Sequence, residues 1–142
     1  MSGQHIIFLC VTNSARSQIA EGLARATAPA GWSVSSAGSH PGLLNPLAVR
    51  VMADVGIDIS DHRAKGLHEV SVENADIVVT LCAEEACPTT PPSVERIGWA
   101  MPDPAGGGGT EAERLEAFRR TRTEIEERIA QLWQRIGRRV EQ

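Results

Sequence analysis

The sequence contains no tyrosine and two phenylalanines, and aromatics make up 4% of it, so little aromatic surface is available to wall a pocket. No run of apolar residues approaches the roughly eighteen that a membrane span needs. The stretch Met1 to Gln4, ahead of the first apolar run, is too short for a secretory signal, so the expected setting is the cytoplasm, away from membranes. A net charge of −4 offers no general basic face for nucleic acid. Arg119, Arg120, Arg122, Arg128, Arg135, Arg138 and Arg139 cluster near the end, but most are interleaved with Glu on what reads as one long helix, a solvated and salt-bridged face. Three cysteines without a signal segment argue against a structural disulfide framework. There is no Cys-x-x-Cys pair, and His5, His40, His62 and His68 lack ligand spacing with each other or with the cysteines, so neither a metal nor another bound cofactor is expected.

What is present is the composition of an ordinary globule, 42% hydrophobic and 23% charged over 142 residues, suited to a single domain spanning 1–142. Its organising stretch is Cys10-Val11-Thr12-Asn13-Ser14-Ala15-Arg16-Ser17. The run Ile6-Ile7-Phe8-Leu9 before it reads as a buried parallel strand, and a helical pattern begins near Arg16. A thiol therefore sits where a strand ends and a helix begins. Such a turn points successive backbone N–H groups inward, and the first helical turn adds its positive dipole end, so residues 11–17 can hold a tetrahedral oxyanion. Arg16 can return over the loop as a fork for two of the oxyanion's oxygens. The same field favours thiolate at Cys10, and Ser17 can donate to the sulfur.

Beyond the loop, Ile19, Leu23 and Ala24 mark a helix to Thr27, and Trp32 to Ser36 reads as the second strand, stopping at Ala37-Gly38. Asn45-Pro46 opens a second helix with Leu47, Val51, Met52 and Val55 inward and Gly56 closing it. A loop with Ile57, Ile59 and His62 leads through a helical turn to the third strand, Asp76 to Leu81, with Cys82 just beyond it. Pro88, Pro91 and Pro92 make Cys82–Pro92 a loop with at most a short helix. Val94 to Trp99 supplies the fourth strand, and Thr110 with Glu113 forms a capping box for a helix to about Gly137, its stripe being Leu115, Phe118, Ile125, Ile129, Leu132 and Ile136.

This alternation predicts an α/β fold, a flavodoxin-like four-stranded parallel sheet of order 2-1-3-4 with helices on both faces. Ligands bind such sheets outside the carboxyl ends of the strands, where the strand order reverses. Cys10, Cys82 and Asp103 all fall on that rim. Adjacent strands lie about 4.8 Å apart and a disulfide needs Cα atoms roughly 4.4–6.8 Å apart, so a Cys10–Cys82 bond is conceivable if the loops shift.

The Cys10–Ser17 loop, its Gln18 to Gly22 continuation, Ser35-Ser36-Ala37-Gly38, Asn45-Pro46, Leu81-Cys82…Cys87-Pro88 and Asp103-Pro104-Ala105-Gly106 together resemble the thioredoxin-coupled arsenate reductases, built on the low-molecular-weight protein tyrosine phosphatase fold. The resemblance spans nearly the whole chain. It implies that the Cys10 thiolate attacks arsenate while the loop amides and Arg16 hold its oxygens, and that Asp103 protonates the departing hydroxide. Cys82 would then attack the Cys10 sulfur, releasing arsenite and leaving a Cys10–Cys82 disulfide. Cys87 would attack Cys82 in turn, exporting the oxidised pair to Cys82–Cys87 for reduction by thioredoxin, a glutaredoxin or a low-molecular-weight thiol. The working unit implied is a monomer.

The sequence departs from these relatives in places. Ala15 stands where many carry a further cysteine, and the Cys82–Cys87 spacing is tighter than in some. Some members bind potassium with residues matching Asn13, Glu21, Ser36 and a carboxylate; Lys65 aligns with that carboxylate, and its ammonium would repel the cation or take its place. Asn13, Glu21 and Ser36 are therefore expected to support the loop through hydrogen bonds, with no potassium site. Two alternatives stand beside the reductase. A low-molecular-weight tyrosine phosphatase would use Cys10, Arg16 and Asp103 and have no need of Cys82 or Cys87, and a non-catalytic anion or redox sensor would signal through the disulfide.

Overall fold

The computed structural model describes residues 3–82 and 87–141, and side chains as far as Gly137. Any short helix or glutamate-rich turn after Cys82 thus lies largely outside the described residues. Among the described residues the main elements run β1 (Gln4–Cys10), α1 (Arg16–Thr27), β2 (Trp32–Gly38), α2 (Pro46–Ala53), β3 (Ile77–Thr80), β4 (Glu95–Gly98) and α3 (Glu111–Glu141). Short 3-10 turns at Leu67–Glu69 and Val72–Asn74 precede β3. The four strands form one sheet in the order β2-β1-β3-β4, every neighbouring pair parallel, as the alternating pattern predicts.

Residues alternate in direction along β1, which divides the core in two. Ile6 and Phe8 face a layer built from Ile19 and Leu23 of α1, Val51 and Met52 of α2, and Phe118, Ile125 and Ile129 of α3. Ile7 and Leu9 face the other way, against Val78 and Val94, with Leu67, Val70 and Val72 from the 3-10 segment closing over them. Both faces are covered, and among the described residues all three α-helices lie on the first. Gly22 permits this density, because a Cβ there would stand 2.8 Å from Met52 Cε and 2.9 Å from Ile59 Cγ2.

The ends of the helices follow their chemistry. Asn45 Oδ1 accepts the Leu47 N–H at 2.8 Å with Pro46 in the first turn of α2. Thr110 and Glu113 exchange reciprocal bonds of 3.1 Å each, the capping box expected at the start of α3. The interleaved charges of α3 pair in part as anticipated, Arg128 with Glu124 at 2.9 Å and Arg119 with Glu116 at 3.8 Å. Three expectations need correction. Helix α2 stops at Ala53 rather than near Gly56, and Val55, assigned to its inner face, is exposed. The third and fourth strands are each two residues shorter than expected, although the N–H bonds of Asp76, Leu81 and Trp99 to neighbouring strands run on past their ends. Helix α3 continues past Gly137 to Glu141, since one glycine costs only about 1 kcal/mol in a helix already long.

Candidate active site

Strand β1 delivers Cys10 to the carboxyl edge of the sheet with its thiol side 1% exposed. The next residues are held from outside. The carbonyls of Val11, Thr12 and Ser14 accept the N–H groups of His40 (2.8 Å), Gly42 (3.0 Å) and Asn45 (2.9 Å). A trans peptide points its N–H opposite to its C=O, so outward-held carbonyls turn the amides of Thr12, Asn13 and Ala15 to the inner side. Asn13 N–H stands 3.2 Å from Cys10 Sγ, and Ser17 Oγ lies 2.8 Å from the same sulfur. The α1 N-terminus adds uncapped N–H groups, for Ala15 supplies no side-chain cap. The result is a concave nest of donors around a sulfur, suited to an anion with several oxygens.

Asn13 fixes that shape. Its φ of 53° lies in the left-handed region, which asparagine tolerates better than most residues. Its amide donates to Ser17 Oγ at 2.8 Å and Ser36 Oγ at 2.9 Å. Its Oδ1 accepts the backbone N–H of Lys65 at 2.8 Å and Gln18 Nε2 at 2.9 Å. Two donors and two acceptor positions are thus all used inside the protein. Ser36 passes its own hydrogen to Glu21 Oε1 at 2.5 Å.

Glu21 is buried, 3% exposed, and three basic side chains approach its carboxyl group. Arg25 approaches Oε2 at 3.0 Å, Lys65 Nζ approaches Oε1 at 3.4 Å, and His62 Nδ1 lies 3.7 Å from Oε2. Lys65, the only lysine of the sequence, also donates to the Arg63 carbonyl at 3.3 Å. A side-chain ammonium thus neutralises Glu21 directly beneath the loop. Gln18 completes the floor, donating to the carbonyls of Asn13 (3.1 Å) and Arg63 (2.9 Å), while its Oε1 meets His62 Nδ1 at 3.0 Å. The 63–66 strip is anchored by Glu69, which bonds Arg63 Nη2 at 2.5 Å and the Gly66 N–H at 2.9 Å. The Arg63 bond first, and then the Gly66 N–H, push the Glu69 carboxyl down to about 2.

Arg16 uses one of its nitrogens to hold the rim together. Its Nη1 donates to the carbonyls of Leu81 at 3.2 Å and Met101 at 2.9 Å, so it ties the loop to the ends of two other rim segments. Its Nε and Nη2 have no protein partner among the described residues. The two carbonyls it holds belong to the residue before Cys82 and the residue two before Asp103. Arg16 therefore fixes the relative height of three rim segments.

Cys82 is 2% exposed and follows Leu81, whose N–H bonds the Leu9 carbonyl at 2.9 Å and so extends the β1–β3 pairing by one residue. Cys10 follows Leu9, so the two cysteines leave adjacent strands at the same edge. Cys82 is joined to Cys87 in a disulfide with Cα atoms 5.6 Å apart, and Cys10 is a free thiol. Asp103 is exposed; its Oδ1 accepts the Ala105 N–H at 3.0 Å and its carbonyl the Gly106 N–H at 3.0 Å. It lines a cavity of about 750 Å³ with Met101, Pro102, Pro104, Arg120 and Thr121, bounded by α3; Cys10 does not line this cavity.

The structure brings Cys10, Val11 to Ser17, Glu21 and Ser36 into one connected unit and sets Cys82 beside it, with Asp103 reached through the Arg16–Met101 link. Gln18 and His62 belong to the same floor although neither was singled out from sequence. Gln18 lies one position after Ser17 on the first turn of α1, which is the one local hint of its role. No group of three or more His, Cys, Asp or Glu side chains that could hold a metal occurs among the described residues.

The sequence profile of the low molecular weight phosphotyrosine protein phosphatases matches residues 5–142. An arsenate reductase of Bacillus licheniformis is 47% identical over 131 residues, covering 91% of this chain and 94% of the relative. Among solved structures, an arsenate reductase in the phosphate binding state superposes with a TM-score of 0.78 at 32% identity, covering 94% of this chain and 98% of the other. The thioredoxin-dependent arsenate reductase of Corynebacterium glutamicum superposes with a TM-score of 0.70 at 29% identity, covering 99% of this chain and 64% of that one.

Proposed function

The chain belongs to the low molecular weight phosphotyrosine protein phosphatase family, and from that premise we propose that it is an arsenate reductase, converting arsenate to arsenite by a relay through Cys10, Cys82 and Cys87. The observation that carries this reading is the Cys82–Cys87 disulfide at the end of the strand next to the one that presents Cys10. Ester hydrolysis at Cys10 has no use for such a pair, whereas a thiol relay that delivers two electrons to arsenic from within the chain ends in one.

The geometry supports the following course. Arsenate enters the nest of Thr12 to Ser17 amides, where inward N–H groups and the unpartnered guanidinium nitrogens of Arg16 match its oxygens. Donation from Asn13 N–H and Ser17 O–H stabilises the Cys10 thiolate, which attacks arsenic. Asp103 delivers a proton to the leaving hydroxide; being exposed, its loop must close on the bound anion, and the glycines that follow it permit this. Cys82 thiolate then attacks Cys10 Sγ, the S–As bond breaks with its electron pair on arsenic, and arsenite leaves. Cys87 attacks Cys82, freeing Cys10 as thiolate and producing the Cys82–Cys87 disulfide. An external dithiol closes the cycle, and we propose thioredoxin, the reductant named for the Corynebacterium glutamicum relative. A thiol cycle fed by a cellular reductant belongs in the reducing cytoplasm, and no helix among the described residues is long and apolar enough to cross a membrane.

The test is arsenite production with thioredoxin, its reductase and NADPH, run beside glutaredoxin and a monothiol. Steady turnover with thioredoxin is expected, and turnover equal with a monothiol alone would refute the dithiol step. The Cys82→Ser variant should lose arsenite turnover by at least about 10³-fold and keep hydrolysis of a phosphate ester, which needs only Cys10, Arg16 and Asp103. Unchanged arsenite turnover in that variant would end the relay reading.

A further inference from the structure

The return path from Cys87 to the sheet is fixed by one arginine that the chemistry so far does not use. Arg96 lies on β4, the edge strand, opposite Val78 of β3. Its Nη1 donates to the Pro88 carbonyl at 2.8 Å and to Thr90 Oγ1 at 3.3 Å, so a side chain rooted in the sheet grips the residue directly after Cys87. The remainder of the return is stiff for independent reasons. Pro88, Pro91 and Pro92 lock their own φ angles, and a Val94 N–H bond to the Pro91 carbonyl at 3.1 Å closes a turn against the start of β4. Residues 88–94 thus form a short arm pinned at both ends.

The other side of the disulfide is pinned as well. Leu81 is held by its N–H bond to Leu9 and by Arg16 at its carbonyl. Two arginines on different elements therefore grip the chain one residue before Cys82 and one residue after Cys87. Disulfide exchange requires the attacking sulfur to approach along the axis of the bond it breaks, so the position of Cys87 relative to a Cys10–Cys82 bond decides the rate.

We infer that Arg96 is a positioning residue for the second exchange of the relay: by clamping Pro88 and Thr90 to the edge strand it holds Cys87 where its thiolate attacks Cys82 within the Cys10–Cys82 disulfide. The inference rests on the reductase reading above. In the step concerned, the Cys87–Cys82 S–S bond forms and the Cys10–Cys82 S–S bond breaks. The electron pair leaves on Cys10 as thiolate, the proton of Cys87 passes to solvent, and the number of disulfides is unchanged. Arg96 touches none of the reacting atoms, and the first chemical step does not involve the segment it holds.

The experiment is a single turnover of fully reduced protein with arsenate and no external reductant, quenched in acid, alkylated and mapped for its disulfides. For Arg96→Ala, conversion of Cys10–Cys82 into Cys82–Cys87 should slow about three- to tenfold, the effect of losing about one ordinary hydrogen bond at an exposed position. The Cys10–Cys82 species should accumulate in proportion. Arg96→Lys, able to reach one acceptor, should recover part of the rate, and Thr90→Val should lose less than Arg96→Ala. Hydrolysis of p-nitrophenyl phosphate should stay at the starting level in all three, which a general loosening of the fold would not allow. Conversion at the unaltered rate in Arg96→Ala overturns the role of Arg96. Failure of the unsubstituted protein to form any Cys10–Cys82 bond on arsenate overturns the reductase reading, and the inference with it.

Discussion

Adding one methyl group at Gly38 tests the loop geometry more sharply than removing any of its polar groups. Gly38 ends β2, pairs with Cys10 across the sheet and donates its N–H to the Lys65 carbonyl at 2.9 Å. Its φ is not in the left-handed region, so backbone strain is not the issue. Space is. A Cβ built there would stand 2.4 Å from the Val11 carbonyl oxygen, 2.8 Å from Asn13 N and 2.9 Å from Val11 C, where ordinary contact begins at 3.4 Å. All three neighbours are backbone atoms of the anion loop, and none can swing aside as a side-chain tip does. Relief requires a displacement of about 1.0 Å at Val11 O and about 0.6 Å at Asn13 N, the differences from 3.4 Å. The first shift works against the Val11 O bond to His40 N–H, and the second moves the amide that faces Cys10 Sγ. Overpacking of this kind costs about 1–3 kcal/mol in stability. A misplacement of about 1 Å at the reacting centre is worth roughly 10²-fold in rate. Gly38→Ala is therefore expected to lower the urea midpoint accordingly and to depress kcat/KM for arsenate about a hundredfold. Gly137→Ala in α3, with nothing within 4 Å of the added carbon, serves as the control. A Gly38→Ala protein with kcat/KM within about threefold of the starting value would show that the loop does not need the shape described.

Asn13→Ala removes four side-chain bonds around a left-handed backbone and should cost about 2–4 kcal/mol by chemical denaturation. Asn13→Gly relieves the φ but not the bonds, so recovery of full stability with glycine would refute the hydrogen-bond account. Glu69 adds a pH dependence. Its carboxyl falls from 4.5 to about 2 on folding, so the unfolded chain binds the extra proton between those values; the stabilisation is complete above about 4.5 and is lost as pH falls through about 2. Glu69→Gln should flatten that part of the acid limb in urea melts taken at steps from about pH 6 to about pH 2.5, and equal slopes for both proteins would refute the assignment.

The Cys10 loop and the sheet were legible in the sequence because each rests on a local rule. A continuous apolar run ended by a small polar turn predicts a buried strand feeding a helix, and Ile6 to Leu9 followed by residues 10–17 is that pattern. The 2-1-3-4 order follows from strands separated by helical crossovers, and it alone puts Cys10 and Cys82 on neighbouring strand ends. Of the floor beneath the loop, Asn13, Glu21, Ser36 and Lys65 were reached only through the family resemblance, and Gln18 and His62 not at all. Gln18 meets His62 and Arg63 at separations of 44 and 45 residues, and Lys65 meets Asn13 at 52; no periodicity encodes such pairs, because they exist only once β1 and the 63–66 strip are side by side. Val55 erred for the opposite reason, since its spacing continues the α2 stripe although the helix has already ended at Ala53. Arg16 shows both limits at once. Its position six residues after the cysteine marks it as a candidate anion-binding arginine, yet its partners Leu81 and Met101 lie in the segments just past β3 and β4, which the local motif does not mention. Anion capture is thus written into eight consecutive residues. On the reading proposed above, delivery of electrons to the captured anion depends on tertiary clamps at residues 16 and 96, and a chain could keep capture while losing delivery through a substitution at Arg96 that leaves the loop untouched.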